Sequence, residues 1–297
     1  MPLAGRGSHY TPLRGAIEGV LARAYGDGWP ARVAHGMGWQ RRVRVLEHAV
    51  SSPAWPEGAP PLRIVFASDW HAGPTTHPSL HERVAVAIAD AKPDVLLLGG
   101  DFVFLDAKYI DRLVPLLRRI DAPGGKMAVL GNHDLWADDR RIVRALESAG
   151  VEVLINRTAR VAAPFAHVSV CGLDEPWVGS PDARATFARA GAVRILLMHA
   201  PSGLLSAHAT GEPFDVAFCG HTHGGHVALP FGVPVVAPGP LARTYPHGRF
   251  AVGPAGRSTL LVSRGIGGIE VPFRTFADPD IIACTLGAAA HAPSAPR

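Results

Sequence analysis

The sequence predicts an α/β protein in which two mixed β-sheets face each other and helices flank them on the outside. The first observation behind this prediction is a series of short apolar runs, rich in leucine and β-branched residues, that begins at residue 62. The second observation is that stretches with helical spacing lie between several of these runs. Continuous apolar strands that alternate with helices are typical of buried sheets with helices packed outside them.

Six apolar runs are predicted to be strands of these sheets, at residues 62–68, 94–100, 126–131, 167–172, 194–199 and 214–220. Four stretches are predicted to be helices, at residues 79–91, 106–120, 138–149 and 181–190. The segment from Val227 to Ile282 has many Gly and Pro turns, which predict more strands and fewer helices. No linker interrupts residues 62–285, so we predict one domain there and a flexible tail at residues 286–297.

Residues 1–61 are predicted to form a basic extension that packs on or beside this domain. Thr11 is a suitable N-cap and Pro12 suits the first helical position, so a short helix is expected over residues 11–25. Residues 41–50 alternate between apolar and polar side chains, which favours a strand.

The composition limits the class of protein. Of 297 residues, 47% are hydrophobic and 18% are charged, so a packed core is expected and wholesale disorder is excluded. The sequence has no run of about 18 uncharged apolar residues and no secretory signal near its start, so we expect neither a membrane-spanning helix nor export. Three cysteines without a C-x-x-C pair argue against a disulfide scaffold and favour a reducing, cytoplasmic setting.

The net charge of +4 is an N-terminal property. Residues 1–63 contain eight arginines against four acidic residues, whereas residues 64–297 are balanced. A basic extension of this kind allows weak peripheral contact with an anionic membrane surface, although a merely solvated arm has the same composition. The balanced remainder argues against specific nucleic-acid binding, because that binding needs clustered phosphate contacts.

Polar side chains follow five of the predicted strands at the point where each strand ends. These side chains are Asp69 and His71, Asp101, Asn132 with His133 and Asp134, His199, and His221 with His223. In open α/β sheets the ligand crevice lies at the carboxyl ends of the strands, so we expect these residues to converge. Carboxylate, amide and imidazole donors without cysteine suit Mn, Fe, Zn, Ni or Co.

The D-x-H and H-x-H pairs have a further consequence if their backbone is extended. Side chains two residues apart on an extended segment project to the same side. Asp69 and His71, and likewise His221 and His223, are therefore expected to supply two metal ligands each from one segment.

The ordered motifs resemble those of the calcineurin-like metallophosphoesterases over about residues 62–285. They read SDWHAG, GGD, GNHD, LMHAP and GHTHGGH in this chain. The resemblance implies a four-layer sandwich and hydrolysis of phosphoester bonds. The ending CGHTHGGH, followed by LVSRGIGG, is similar to a bacterial branch that includes phosphodiesterases and enzymes that hydrolyse UDP-diacylglucosamine. That branch often has glutamine where this chain has His226.

The resemblance also implies two metal sites that share one carboxylate. The first site would be formed by Asp69, His71, Asp101 and His223. The second site would be formed by Asp101, Asn132, His199 and His221. Asp101 would then bridge the two ions, because a carboxylate has two oxygens with which to do so.

With two divalent or mixed-valence ions in these sites, the predicted mechanism is binuclear. A hydroxide held between ions about 3.5–4 Å apart would attack phosphorus in line with the leaving oxygen. His133 would be catalytic, stabilising the forming charge or protonating the leaving group, which typically contributes about 10²–10⁴-fold. Asp134 would hydrogen-bond His133 or its loop. His226 and Arg264 are weaker candidates for contact with the small-molecule phosphoester.

The sequence leaves the type of reaction open. A phosphodiesterase is the leading hypothesis, and a phosphomonoesterase or a UDP-diacylglucosamine-type pyrophosphatase is the alternative, because motif spacing does not report pocket width. A non-catalytic metal-binding interaction scaffold is the alternative from a different class. The intact ligand set and His133 argue against that scaffold. Trp70, between two predicted ligands, is expected either to wall the site or to pack into the core.

Overall fold

A computed structural model describes residues 5–288, and it contains two six-stranded mixed sheets within that range. The first sheet has the spatial order β1 (Arg44–Ser51), β14 (Asp280–Gly287), β2 (Leu62–Ala67), β3 (Val95–Leu98), β4 (Gly125–Ala128) and β5 (Val151–Val153). The second has the order β12 (Gly248–Val252), β13 (Ser258–Val262), β9 (Val216–Cys219), β8 (Val193–Leu197), β7 (Val168–Gly172) and β6 (Arg157–Arg160). A separate short ribbon pairs β10 (Ala228–Leu229) with β11 (Val233–Pro234).

The first two helices precede β1 in sequence, and the others lie between strands. The helices are α1 (Pro12–Ala24), α2 (Trp29–Gly36), α3 (Pro78–Asp90), α4 (Val114–Arg119), α5 (Asn132–Ala137), α6 (Asp139–Ser148), α7 (Ala183–Phe187) and α8 (Gly203–Thr210). Short 3₁₀ turns occur at Ala107–Arg112, His223–Gly225, Pro230–Gly232 and Pro254–Gly256. None of the helices described in residues 5–288 has the length and apolar character needed to cross a bilayer.

Most neighbouring strands in each sheet are parallel. In the first sheet β2, β3, β4 and β5 are parallel, and β14 runs antiparallel to β2. In the second sheet β13, β9, β8 and β7 are parallel, and β12 and β6 are antiparallel strands at its two edges. Parallel strands within a sheet bring their carboxyl ends to the same edge, which places the loops after them together.

Three apolar clusters show that the molecule has four layers. Phe66 of the first sheet and Phe218 of the second contact each other between the sheets, with ring centroids 5.5 Å apart. Leu80 and Val84 of α3 cover the outer face of the first sheet, and Leu204 of α8 covers that of the second. Burying a side chain of this size contributes about 1.5–3 kcal/mol. The predicted class, two facing mixed sheets flanked by helices, is confirmed.

Each of the six apolar runs predicted to be a strand overlaps an observed strand. The observed helices differ from the predicted ones in detail. The predicted helix 106–120 is divided into a 3₁₀ turn and α4, with Pro115 in the first turn of α4, where it needs no N–H partner. The predicted helix 181–190 is reduced to α7, whose N-cap Asp182 accepts the N–H of Ala185. The short helices α2, α5 and α8 were not predicted from the sequence.

The N-terminal extension contributes to the first sheet. The predicted helix is present as α1, with the N–H of Arg14 bonded to Thr11 Oγ1 at 3.2 Å. Strand β1 pairs in parallel with β14 along its whole length, and Val50 is buried in the core between the sheets. The boundary at residue 62 therefore divides a sheet. The sequence did not reveal that β1 belongs to the sheet, because most of its side chains are exposed or only partly buried, as in an edge strand.

The predicted C-terminal boundary also shifts. Strand β14 continues to Gly287, so the first two residues of the segment 286–297 belong to the sheet and not to a tail. The rest of that prediction falls largely on residues 289–297, which lie outside the described residues.

Candidate metal centre

The parallel strands of both sheets deliver the predicted metal ligands to one place. Residues after β2, β3 and β4 come from the first sheet, and residues after β8 and β9 come from the second. The seven side chains are all buried: Asp69, His71, Asp101, Asn132, His199, His221 and His223. Possible ligand atoms within this set lie in groups less than 4.8 Å across. The convergence expected from the strand ends is therefore present.

The first group of donor atoms combines both sheets. His71 Nε2 lies 3.1 Å from His223 Nε2 and 3.6 Å from Asp101 Oδ2. His223 Nε2 lies 3.5 Å from Asp69 Oδ1. These four residues are the predicted first set.

The second group is built around His199. Its Nε2 lies 3.3 Å from Asp101 Oδ2, 3.2 Å from Asn132 Oδ1 and 3.1 Å from His221 Nδ1. Its other ring nitrogen, Nδ1, is 2.7 Å from the carbonyl of Gly99 and donates to it. That bond fixes the orientation of the ring and directs Nε2 into the site, where it would bind a metal ion once it has lost its proton.

These distances are close to those between ligand atoms around a metal ion. Metal–nitrogen and metal–oxygen bonds of about 2.1 Å place neighbouring ligand atoms about 3.0–3.4 Å apart in octahedral or tetrahedral geometry. Four of the six spacings, from 3.1 to 3.3 Å, lie in that range, and the spacings of 3.5 and 3.6 Å to Asp69 and Asp101 are slightly longer. Burial lowers the pKa of His71 to about 4 and that of His221 to about 3, so both rings are neutral and have lone pairs to offer.

Asp101 belongs to both groups through a single oxygen. Its Oδ2 faces His71 on one side and His199 on the other, whereas its Oδ1 accepts the N–H of His133 at 2.8 Å. The expected use of two separate oxygens for the two sites is therefore not what the structure shows. Although burial by itself opposes protonation, the Asp101 carboxylate raises the pKa of His199 to about 10.

The backbone at the ligands is left-handed and not extended. The φ angles are 54° at Asp69, 41° at His71, 52° at Asp101, 69° at His221 and 52° at His223. The prediction that D-x-H and H-x-H project their side chains by strand geometry is therefore wrong. Sparsely populated conformations of this kind cost about 1–3 kcal/mol each and persist where the surrounding structure enforces them, often at functional sites.

Two glycines permit the close approach of these loops. A Cβ atom at Gly131 would overlap Asp101 Oδ1, and a Cβ atom at Gly220 would overlap Asp69 Oδ2. Neither overlap can be relieved by moving a flexible surface side chain, because both carboxylates are buried. The G-N-H-D and G-H-x-H motifs thus need glycine for space beside the carboxylates.

His133 and Asp134 follow Asn132 in α5, but they have different surroundings. The His133 ring lies perpendicular to that of His71, with centroids 5.0 Å apart, and it is only partly buried. Its ring, His71 and Asp101 also form a possible ligand group, so geometry alone does not separate a metal ligand from a substrate contact. Asp134 accepts the N–H of Gly131 at 3.0 Å and of Phe102 at 2.8 Å.

Asp134 is therefore a positioning residue that joins two site loops. Its bonds link the loop after β3 to the loop after β4, which contains His133. Its carboxylate contacts backbone and not the His133 ring, so of the two expected partners the loop is the one observed. Burial, followed by the charge of Asp101, raises the pKa of Asp134.

A cavity of about 250 Å³ opens above the donor groups. Asp101, Asn132, His133, His221 and His223 line it from the metal side. Its remaining wall includes Arg14, Trp177, His226, Val236 and Glu270. The cavity therefore joins the ligand cluster to residues from the N-terminal extension and from the loop after β9.

The weaker substrate candidates differ from each other. His226 lines the cavity, and its Nε2 donates to the carbonyl of Val271 at 3.0 Å, while Nδ1 has no hydrogen-bond partner within residues 5–288. Burial lowers the pKa of His226 to about 3, so its free nitrogen is an acceptor and suits a hydroxyl better than a phosphate oxygen. Arg264 is not among the cavity residues and faces His247 and Asp280 instead. Trp70 is fully buried in the core.

Two arginines that lie at the site were not among the site residues predicted from the sequence. Arg274 is partly buried behind the first donor group, where its Nη2 lies 2.8 Å from His223 Nδ1 and donates to the carbonyl of Gly267. Arg14 comes from α1, and its Nη2 lies 3.3 Å from His133 Nε2. Arg274 lies in the segment VPFRTFADPDII, which also resembles the bacterial branch, but that resemblance assigned it no role. No motif surrounds Arg14, so only its position in three dimensions identifies it.

Comparison with known proteins agrees with this geometry. A family model described as calcineurin-like phosphoesterase matches residues 62–225. The metallophosphoesterase YkuE of Bacillus subtilis is 30% identical over 250 residues, which are 82% of this chain and 85% of that protein. Phosphodiesterase YaeI of Escherichia coli is 33% identical over 186 residues, 59% of this chain and 65% of that protein. UDP-2,3-diacylglucosamine pyrophosphatase LpxG of Chlamydia trachomatis is 25% identical over 221 residues, 57% of this chain and 66% of that protein.

The matched region contains both donor groups. It covers more than half of the chain and runs from the start of β2 past His223. The chain therefore belongs to the calcineurin-like phosphoesterase family and is a metal-dependent hydrolase of phosphoester bonds.

Proposed function

We propose that the protein is a binuclear metal-dependent phosphodiesterase. The observation that carries this proposal is the position of Asp101 Oδ2, which faces both donor groups at once, 3.6 Å from His71 Nε2 and 3.3 Å from His199 Nε2. One site would be held by Asp69, His71, Asp101 and His223, and the other by Asp101, Asn132, His199 and His221. When bound, such ions supply an activated water and neutralise charge on the phosphoryl group.

The ligand set itself sets the charge of the site. Two carboxylates among seven ligands leave two divalent ions with excess positive charge, which favours an anionic phosphoryl group over a neutral ester. Neutral Asn132 and the histidines contribute donor atoms without adding negative charge. Mn, Fe, Zn, Ni and Co all accept this combination of donors.

His133 is proposed to assist the leaving group. Its N–H bond to Asp101 Oδ1 fixes the start of α5 beside the shared carboxylate, and its ring lines the cavity. Burial lowers the pKa of His133 well below its usual value, so the ring is neutral in the free protein. A bound phosphoryl anion would raise that pKa, and the ring could then donate a proton or a hydrogen bond to the leaving oxygen.

Diester hydrolysis is favoured over monoester hydrolysis by the shape and chemistry of the cavity. Besides the donor groups, its wall carries the apolar side chains of Trp177 and Val236, which can cover a second organic group on phosphorus. YaeI is named a phosphodiesterase, and LpxG is named a pyrophosphatase that acts on a UDP-linked lipid. Cleavage of a pyrophosphate link is therefore the second candidate for this site.

The N-terminal extension is further proposed to make weak contact with an anionic membrane surface. Residues 5–43 contain six arginines and two acidic residues. Leu13, Ile17 and Val20 are exposed at 71%, 48% and 60% along one side of α1. Basic charge beside an exposed apolar stripe favours an interfacial position, which sedimentation with anionic and with neutral vesicles would distinguish from simple solvation.

A hydrolysis screen after metal reconstitution tests the proposed activity. Protein stripped with a chelator would be reloaded with Mn and assayed on bis-p-nitrophenyl phosphate, p-nitrophenyl phosphate, cyclic nucleotides and UDP-linked lipids. We expect activity on the diester to exceed that on the monoester, with about two ions bound per chain by elemental analysis. A loaded protein that cleaves none of these compounds would support the non-catalytic scaffold instead.

A further inference from the structure

We propose that Arg14, from the N-terminal extension, is a substrate-binding residue whose guanidinium holds an anionic oxygen of the phosphoester beside His133. This inference rests on the proposed hydrolysis at the same site. It gives the extension a function in the active site, which the family motifs between residues 62 and 225 do not contain.

The geometry places a nitrogen of Arg14 and a nitrogen of His133 at the same part of the cavity. Arg14 Nη2 lies 3.3 Å from His133 Nε2, and both residues line the cavity that contains Asp101 and Asn132. Hydrogen bonds from charged nitrogens to anionic oxygens are about 2.7–2.9 Å long. Two nitrogens this far apart can therefore reach the same oxygen, so a phosphoryl oxygen that accepts from Arg14 Nη2 would also lie beside the His133 ring.

The Arg14 side chain is already held in the orientation needed. Its Nε donates to Glu18 Oε1 at 2.8 Å, and Glu18 Oε2 in turn accepts the hydroxyl of Tyr10 at 2.8 Å. The guanidinium carbon lies 3.9 Å from the centroid of the Trp136 ring. Because folding already orders this side chain, Arg14 can bind an anion without a further loss of side-chain conformational entropy.

The charge of Arg14 is only partly compensated. Among residues 5–288, Glu18 is the carboxylate found within ion-pair distance of Arg14, and it contacts Nε. Nη2, one of the terminal nitrogens that suit phosphate oxygens, faces His133 at the cavity. A guanidinium fork beside a phosphoryl site is a chemically suitable anion contact.

The segment before α1 fixes this helix to the wall of the site. Arg6 binds Asp174 with two bonds of 2.7 and 2.6 Å and contacts Asp139 at 3.1 Å. The indole of Trp136 donates to the carbonyl of Ser8 at 2.9 Å. Helix α1 itself has no buried residue, so these contacts, and not burial of an apolar face, keep it at the cavity.

The test compares Arg14→Gln with Arg23→Gln. Both residues are in α1 and lose the same charge, but Arg23 is exposed and has no recorded hydrogen bond or ion pair among residues 5–288. Glutamine keeps a planar group that can still stack on Trp136. We expect Arg14→Gln to lower kcat/KM on bis-p-nitrophenyl phosphate about 10- to 100-fold, as loss of a charged hydrogen bond does, and Arg23→Gln to leave it unchanged.

A binding measurement separates this role from a structural one. Calorimetric titration of the Mn-loaded proteins with inorganic phosphate should show a similar loss of affinity in Arg14→Gln and none in Arg23→Gln. Metal content and melting temperature should be the same in all three proteins. Equal phosphate affinity in the two variants would overturn the role of Arg14. A wild type that binds phosphate but hydrolyses nothing would instead refute the proposed function, while the phosphate titration would still decide on Arg14.

Discussion

The strand-end ligands and the N-terminal helix reach the same cavity by opposite means. The ligands are buried, and five of them sit on left-handed backbone enforced by the packed sheets. Arg14 is carried by α1, an exposed helix attached through ion pairs and hydrogen bonds. In the proposed site, the core would therefore set the geometry of the metal ions, whereas an exposed helix would supply a contact to the substrate. Changes at the ligands should therefore alter metal content, and changes in the extension should not.

Asp101→Asn should have the largest effect, because one carboxylate oxygen serves both donor groups. We expect activity to fall by at least about 10³-fold and bound metal to fall from about two ions to one or none, since the neutral amide is a poor bridge. Elemental analysis and steady-state kinetics check this. Asp111→Asn is the control, because Asp111 is exposed and pairs with Arg141 and not with a proposed ligand. Full retention of both ions in Asp101→Asn would contradict the shared site.

His133→Ala should separate chemistry from metal binding. We expect turnover to fall about 10²–10⁴-fold while both ions remain, since His133 is assigned to the substrate side of the cavity. Metal analysis and kinetics would be compared with those of His208→Ala, which changes an exposed histidine on α8. His133 also lies within ligand distance of His71 and Asp101. Loss of an ion in this variant would show that it is a ligand.

Gly131→Ala should disturb the ligand cluster by steric overlap alone. The new methyl group would overlap Asp101 Oδ1, so we expect about a 10- to 100-fold loss of metal affinity, similar to that seen when partners of a ligand are disturbed. Gly36→Ala in α2 is the matched control, because a Cβ there meets nothing within 4 Å. Its melting temperature should be unchanged or slightly higher, as alanine favours helix. Metal titration followed by calorimetry measures both variants, and equal affinities would remove the steric argument.

The smallest expected effect is a pH dependence of the melting temperature of the metal-free protein. The pKa of His199, lowered by burial but raised more by Asp101, is about 10, against 6.5 for an unperturbed histidine. Because the folded pKa is the higher one, the charged pair stabilises the fold fully below about pH 6.5 and is lost as pH rises through about 10. The melting temperature should thus fall over this window.

Metal binding should abolish most of this pH dependence. A metal ligand holds no proton on the coordinating nitrogen, so the loaded protein has no His199 proton to lose and should melt at a more constant temperature. Thermal melts with and without chelator across the window measure the difference. Parallel curves for the two forms would indicate that His199 is not protonated in the metal-free site.

The sequence predicted the strands of both sheets better than it predicted the local form of the site. Apolar runs such as residues 62–68 are buried on both faces, so their composition reports their structure directly. The backbone at Asp69 and His71 was predicted as extended, yet it is left-handed. That conformation is imposed by neighbours far apart in sequence, such as the N–H of His221 on the Asp69 carboxylate, and residue pattern does not encode it.

Edge and surface elements were the other source of error. Strand β1 has a mixed burial pattern because it lies at the edge of the first sheet, so its membership in the domain was not visible in residues 44–51. Arg264, in a glycine-rich motif, was a candidate for substrate contact but faces Asp280 and His247. Arg14, which has no motif, lies in the cavity. Long side chains can reach several partners, so sequence position alone does not fix which one they meet.

Apolar periodicity, a local property of the chain, was enough to predict two facing sheets flanked by helices. The ordered motifs indicated the family and the seven candidate ligands through their resemblance to the calcineurin-like metallophosphoesterases. Packing in three dimensions set three further features: a single oxygen of Asp101 faces both donor groups, Asp134 joins two loops, and α1 brings an arginine to the cavity. The physical reason is that each of these features depends on a distance between segments 30 to more than 100 residues apart, which packing sets and sequence spacing does not.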